Sequence, residues 1–352
     1  MKKEETKKIL RSTCAQYPLL QVQDVFKFIH QSAFGCEHLL TDFQAVLQRI
    51  QAESEANPAE KQNPIEQLDG DFCRVHLSVL QDGLQTQTLA MLFMLSAQPV
   101  ANAENAVKER LRIFLSLCEN GELPFSAKEV QKQAEKWQAN GFCALHHSDT
   151  FRNAYKPSYR VIKKEYARFL PLFAEIDRRL KNGSCTLAIE GRSASGKSTL
   201  AAILEAVYGC TVFHTDDFFL QPAQRTPARF AEVGGNMDRE RFLMEVLFPL
   251  SQGQVVQYRR FACGTFTLLP PEEKRKTPLT VIEGAYCMHP GLCHFYDFAV
   301  FMDIDAELQR KRILKRNGEA LAHRFFNEWI PMEETYIAAL HVKERCNMVI
   351  KA

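Results

Sequence analysis

Gly191-Arg192-Ser193-Ala194-Ser195-Gly196-Lys197-Ser198 spells the phosphate-binding loop G-x-x-x-x-G-K-[ST]. Its surroundings fit. Thr186-Leu187-Ala188-Ile189 before it reads as a buried strand, and Thr199-Leu200-Ala201-Ala202-Ile203-Leu204 after it reads as the start of a helix. Such a loop suits a polyphosphate because glycines let the backbone wrap around the anion, while exposed N–H groups and the helix N-terminus face its charge. The residues expected to hold the nucleotide are Gly191, Ser193, Ala194, Ser195, Gly196, Lys197, Ser198 and Thr199. Lys197 is expected to reach the β- and γ-phosphates, and the Ser198 hydroxyl to ligate Mg²⁺. A Gly/Ser-rich turn that binds nothing is the bland alternative; the flanking strand and helix weigh against it. This half of the chain is expected to handle a nucleoside triphosphate.

At 352 residues the chain is long for one core, which makes two domains the default. Hydrophobic residues at 46% and charged residues at 24% are those of an ordinary soluble globular protein. A net charge of +2 gives no reason to expect nucleic acid or an anionic membrane as partner. The start, Met1-Lys2-Lys3-Glu4-Glu5-Thr6-Lys7-Lys8, is charged with no apolar run behind it, so no signal peptide is expected. Leu89-Ala90-Met91-Leu92-Phe93-Met94-Leu95 is too short to span a bilayer and reads as a core helix. The eleven cysteines are scattered, odd in number and never form C-x-x-C, which argues against a disulfide framework or structural zinc and favours a reducing cytoplasm. Cys287, His289, Cys293 and His294 gather metal-ligand types, but their spacing fits no common zinc motif. Buried thiols and loop histidines explain them better.

Residues 1–182 read as a mostly helical domain of unassigned role. Asp24–Ile29 and Phe43–Ile50 carry apolar residues at helical spacing, and further helices are expected over 84–97, 103–119 and 126–139. Asn57-Pro58 and Asn63-Pro64 punctuate a polar connector. Phe72–Val79 alternates and reads as a strand; Tyr159–Lys181 reads as one long helix closed by Asn182-Gly183, the expected domain boundary. Two stretches are odd for a scaffold: Phe34-Gly35-Cys36-Glu37-His38, and the run from His146 to Arg160, which crowds His, Arg, Tyr and Lys together. The second run reads either as a polar interdomain seam or as an anion or sugar-phosphate pocket.

From residue 183 the pattern becomes strand, loop, helix, repeated, as in a parallel sheet flanked by helices. Strands are expected at 185–190, 210–215, 279–283, 297–303 and 347–351, with a small antiparallel addition from Val255–Tyr258 and a hairpin near Gly264. Ligands in such sheets bind at the carboxyl ends of the strands. The second strand runs into Asp216-Asp217, placed for general-base work or metal binding; the alternative is a turn capped by Asp. In extended backbone the two carboxylates point to opposite sides unless the chain turns sharply between them. The third strand ends in Glu283, an acidic residue placed to hold Mg²⁺ directly or through water. After the fourth strand comes a basic helix, Asp305–Arg316, with Arg312 and Arg316 on one face. It reads as a lid over the phosphates or as a solvated basic face.

The phosphate loop, Asp216-Asp217-Phe218-Phe219, Asn236-Met237-Asp238, Ile282-Glu283-Gly284 and the basic 310–316 helix resemble the uridine kinase and phosphoribulokinase group of P-loop kinases. The resemblance covers most of 184–352 and implies an α/β P-loop NTPase sheet preceded by the helical domain. The Asp-Asp-Phe-Phe stretch is also similar to nicotinamide riboside kinases. It implies Asp216 as general base, with Lys197, Arg312 and Arg316 as the other catalytic groups. It also implies Arg310 on the ATP phosphates, and Asp217, Asp238 and Tyr258 on the acceptor side. The chain departs from uridine kinases at Tyr258-Arg259-Arg260-Phe261, where a Tyr-Asp-Phe stretch would lead to a base-contacting His, and at Arg239-Glu240, which replace the usual His-Pro. ATP and Mg²⁺ handling therefore carries over better than pyrimidine recognition. The expected partner is a small-molecule hydroxyl acceptor, a nucleoside or related sugar, in a chain that is open to homo-oligomer formation. The rivals are an ATP-binding regulatory module with no acceptor, and a bifunctional enzyme with a second site around 146–160.

Overall fold

The computed structural model describes residues 2–36, 42–56 and 63–352. Glu37 and His38 of the first odd stretch, and Asn57-Pro58 of the connector, lie outside the described residues. The chain divides into two compact units, Met1–Arg178 and Arg179–Ala352. The division falls inside the helix Leu170–Leu180, a few residues before Asn182-Gly183.

The first unit is helical around a three-stranded antiparallel sheet of β1 (Ile65–Gln67), β2 (Phe72–His76) and β3 (Tyr159–Lys163), in the order β1-β2-β3. Its helices Val22–Phe34, Thr86–Ser96, Ala103–Glu119 and Ala127–Ala139 follow the apolar periodicity of the sequence. Phe26 anchors them, stacked on Trp137 at 4.9 Å between ring centroids and set edge-on to Phe114 at 6.3 Å. Two expectations are corrected here. Tyr159–Lys181 is not one helix: Tyr159–Lys163 pairs with β2, and the helices Lys164–Ala167 and Leu170–Leu180 follow. Val161 and Ile162, both β-branched, favour the ladder, and both are buried there. The strand expected over Phe72–Val79 ends at His76, where Leu77–Asp82 turns into a 3₁₀ helix.

The second unit carries five parallel strands: β4 (Cys185–Gly191), β5 (Thr211–His214), β8 (Leu279–Glu283), β9 (Phe298–Asp303) and β10 (Met348–Lys351). Their order is β10-β9-β4-β8-β5. Every residue of β4 and β8 is buried, as expected of inner strands covered on both faces. β6 (Val256–Ala262) and β7 (Thr267–Lys274) form a separate antiparallel hairpin. The chain leaves β4 for β5, returns to β8, then crosses to β9 on the other side of β4. The switch in direction thus falls at β4, whose carboxyl end is Gly191, and such a switch point is where α/β sheets bind ligands. Among the described residues, no helix is long and apolar enough to cross a membrane.

Candidate active site

The loop after β4 is shaped by two glycines. A Cβ on Gly191 would lie 2.3 Å from the backbone oxygen of Met302 on the neighbouring β9, and φ is +144°. No other residue type fits there. Gly196, at φ +100°, turns the chain into the helix Lys197–Tyr208. Lys197 curls over the loop, its Nζ donating to the carbonyls of Gly191 at 2.7 Å and Arg192 at 3.1 Å. Ser195 is buried, and its Oγ has no hydrogen-bond partner among the described residues. A hydroxyl so placed is costly unless an acceptor or donor arrives. Ser198 and Thr199, one turn on, are exposed.

Acidic groups approach this loop from the ends of two strands, β8 and β5. Ser198 Oγ donates to Glu283 Oε1 at 3.1 Å, and the same oxygen contacts His214 Nδ1. This contact is the chief reason the His214 imidazole is raised above its ordinary range. Asp216 and Asp217 lie in a 3₁₀ turn, Thr215–Phe218, so the extended geometry that would oppose them does not hold. The turn is fixed by Thr215, whose Oγ1 donates to the Ala285 carbonyl at 2.9 Å. Asp216 has an open surface, yet enough protein surrounds it that desolvation lifts its carboxyl above the ordinary range. Lys197 opposes the lift, Glu283 adds to it, and His214 and Arg316 oppose it further. Asp217 is also raised by burial, and its Oδ2 has no partner among the described residues.

The basic helix Ala306–Arg324, broken at Gly318, meets the loop through two residues. Gln309 Nε2 donates to the Ser193 carbonyl at 3.0 Å and Arg312 Nη1 to the Ala194 carbonyl at 3.1 Å. Arg310 lies over the Phe326 ring and Arg316 over Phe325. Both are exposed. The helix is thus docked on the loop at Arg312, while Arg316 influences Asp216 through its charge. Asp238 is 2% exposed, caps Arg239–Phe242 by accepting from the Arg241 N–H at 3.1 Å, and accepts from Gln224 Nε2 at 2.9 Å. Tyr258 is 1% exposed, packed against Phe213 and Phe218, with its hydroxyl 3.4 Å from Glu272.

Sequence reasoning missed three neighbours. Glu190 closes β4, an acid ending an apolar strand just as Glu283 does. Its position next to the glycine of the loop could have revealed it. Glu333, from the helix Ile330–Ala339, accepts from the Ser193 N–H at 2.9 Å and from the Ser193 hydroxyl. Arg192 pairs with Asp303 and, at 2.5 Å, with Glu334. No local pattern marks the last two.

The residues present fit a magnesium–polyphosphate group. The buried unpartnered Ser195 hydroxyl, the cradle that a Cβ at Gly191 would fill, and the hard oxygen donors of Ser198 and Glu283 beside the Lys197 ammonium all suit one. Among the described residues, no group of three or more His, Cys, Asp or Glu is arranged to hold a metal ion. Mg²⁺ needs fewer protein ligands, since phosphates and water complete its shell.

Solved structures similar to this chain include "a Possible Uridine Kinase" from Bacillus stearothermophilus, 22% identical over 51% of this chain and 98% of that one, with a TM-score of 0.38. Another, described as a "putative fructose transport system kinase" from Silicibacter sp. TM1040, is 20% identical over 47% of this chain and 89% of that one, TM-score 0.40. A third, TT1252 from Thermus thermophilus, is 19% identical over 48% of this chain and 89% of that one, TM-score 0.28. Likeness at this level concerns the fold and assigns no residue a role. No protein-family model matches the chain, and no curated protein does. With its five parallel strands and a phosphate loop at the end of the central one, the second unit has an α/β P-loop fold, similar to uridine kinase-like structures over about half of the chain.

Proposed function

We propose that the second unit is an ATP-dependent kinase that passes a phosphoryl group to the hydroxyl of a small molecule, a nucleoside or related sugar. The observation that carries this reading is the meeting of Lys197, Ser198, Glu283 and Asp216 at the ends of β4, β5 and β8. A loop that only bound nucleotide would need no second carboxylate, Asp216, within reach of the lysine's charge.

In this reading Gly191 and Gly196 shape the loop, and the N–H groups from Gly196 to Thr199 at the helix start would face the phosphates. Lys197 would pair with phosphate oxygens, Arg310, Arg312 and Arg316 of the basic helix would add positive charge, and Ser198 and Glu283 would hold Mg²⁺. Bound Mg²⁺-ATP would supply the transferable group and a cation that spreads its charge. Asp216 accepts the acceptor hydroxyl's proton; a carboxylate raised by partial desolvation is the stronger base. Asp217 orients the acceptor, and Tyr258 holds Phe218 behind the turn that carries both. Asp238 fixes the start of its short helix beside the acceptor. All eleven cysteines are free, which supports a reducing cytoplasm as the compartment.

The test is a screen of nucleosides, sugars and vitamins for ATP-dependent phosphorylation by the full chain. One acceptor that accelerates ATP consumption and returns as a phosphate ester is the expected result. Slow ATP hydrolysis that no hydroxylated compound accelerates would make the unit a nucleotide-binding switch instead.

A further inference from the structure

The first unit holds a cavity that phosphoryl transfer does not use. The volume of the cavity is about 450 Å³, within the range of small-molecule sites. Part of its wall comes from the odd stretch His146–Arg160; the rest comes from Val22–Phe34, Phe43–Ala56, Thr86–Ser96 and β3.

The charges around the cavity do not balance. Among the described residues, Lys27, Arg49 and Arg160 line it, against one lining carboxylate, Glu53, with Asp24 close to Lys27. The Glu53 carboxylate is shared, accepting from Arg160 Nη1 at 2.7 Å and from Arg49 Nε at 3.0 Å. Arg160 is 8% exposed, and its Nη2 has no hydrogen-bond partner among the described residues. Leaving a buried charged donor unpaired is costly. Just behind the wall Arg74 is paired with Glu66 through Nη1 at 3.0 Å and donates from Nε to Gln31 at 2.9 Å, while its Nη2 is buried and unpartnered among the described residues. Burial, with Arg74 close by, pulls the Lys27 ammonium down to about 8.

The part of the wall behind His147 is rigidly set by the Asp24 carboxylate. Asp24 accepts from the Ser148 N–H at 2.9 Å, from the Ser148 hydroxyl at 2.7 Å and from the Gln21 N–H at 3.0 Å, and contacts His147 Nδ1 at 2.9 Å. His147 Nε2 meets the Tyr159 hydroxyl at 2.6 Å. Burial holds the His147 imidazole at about 4, so near neutral pH it carries one proton. The Asp24 carboxylate fixes that proton on Nδ1, leaving Nε2 to accept from Tyr159. Phe93, Val46 and Val161 supply an apolar patch within the same cavity.

We propose that this cavity binds a small phosphorylated organic molecule, its phosphate held by Arg160, Arg49 and Lys27 and its apolar part against Phe93, Val46 and Val161. Among the described lining residues three cations stand against one carboxylate, and counting Asp24 beside Lys27 still leaves the site net positive, as a phosphate monoester requires. A planar guanidinium also takes phosphate oxygens in pairs.

The test uses the full chain carrying Lys197→Ala, so that the phosphate loop of the other unit is disabled, and calorimetric titration with phenyl phosphate, inorganic phosphate and benzoate. Phenyl phosphate is expected to bind at one site per chain, more tightly than either of the others. Adding Arg160→Gln should weaken it at least tenfold, and adding Arg49→Ser severalfold. Arg49 is exposed, so its replacement spares the fold and decides the matter alone if circular dichroism shows Arg160→Gln unfolded. The proposal is overturned if phenyl phosphate does not bind the Lys197→Ala chain, if benzoate binds as tightly, or if Arg49→Ser in a folded chain leaves the affinity unchanged.

Discussion

Replacing Glu190 by Gln should remove a pH dependence from the stability of the second unit. Glu190 is 1% exposed. Its Oε1 accepts from the Gly191 N–H at 2.8 Å, and its Oε2 from the Met288 N–H at 3.1 Å and the Tyr336 hydroxyl at 3.0 Å. Burial outweighs the Lys197 charge and these three donors and pushes the carboxyl from 4.5 up to about 7. Between those values the folded chain keeps a proton that the unfolded chain has lost. The contribution is therefore fully present below pH 4.5 and is lost as pH rises through about 7. At about 1.4 kcal/mol per pH unit, the loss over that interval comes to about 3 kcal/mol. Urea unfolding followed by Trp329 fluorescence, in a chain whose other tryptophan is replaced by Trp137→Phe, reports on this unit. The stability of the parent should fall relative to Glu190→Gln by about that amount as pH rises from 4.5 to about 7, and no further above it. Parallel stability curves for the two proteins would refute a carboxyl held protonated beside the loop.

General-base catalysis is worth about 10²–10⁴-fold, so Asp216→Asn should slow single-turnover transfer on that scale with ATP affinity near wild type. Asp217→Asn should cost less; normal transfer by Asp216→Asn with a dead Asp217→Asn would reverse the two roles. Arg312→Ala and Arg316→Ala should each lower kcat more than they raise KM for ATP, because their contacts strengthen as charge redistributes in the transition state. If neither moves kcat, the helix is a solvated face docked on the loop. Gly191→Ala, forced against the Met302 carbonyl at 2.3 Å, should destabilise the second unit by about 3 kcal/mol or more in chemical unfolding; an unchanged midpoint would mean that β4 and β9 part easily.

The parallel strands were legible because inner strands are continuous apolar runs closed by chemistry-bearing residues, as Thr186–Ile189 is by the loop and Val281-Ile282 by Glu283. The antiparallel addition expected near Gly264 is the hairpin of β6 and β7. β3 was not legible, because Tyr159-Arg160-Val161-Ile162-Lys163 continues without a breaker into helix-forming residues, and its strand state is decided by pairing with β2, far away in the chain. Asp216 and Asp217 could be found from sequence, but their relative direction could not, since the turn is fixed by Thr215 bonding to Ala285 on another strand's loop. Glu333 and Gln309 reach the loop only through tertiary packing. In the first unit, the run from His146 to Arg160 announced its polar crowding. Its partners Asp24, Lys27 and Glu53 carried no sign of belonging with it.

The most direct test of the kinase reading compares the wild-type chain with Lys197→Ala, supplied with ATP labelled on the γ-phosphate and a mixture of nucleosides and sugars. Losing charge-assisted contacts worth about 1.5–3 kcal/mol each should abolish transfer in a chain that remains folded. The account predicts a labelled phosphate ester from wild type and none from Lys197→Ala. Equal yield of ester from both proteins would contradict it.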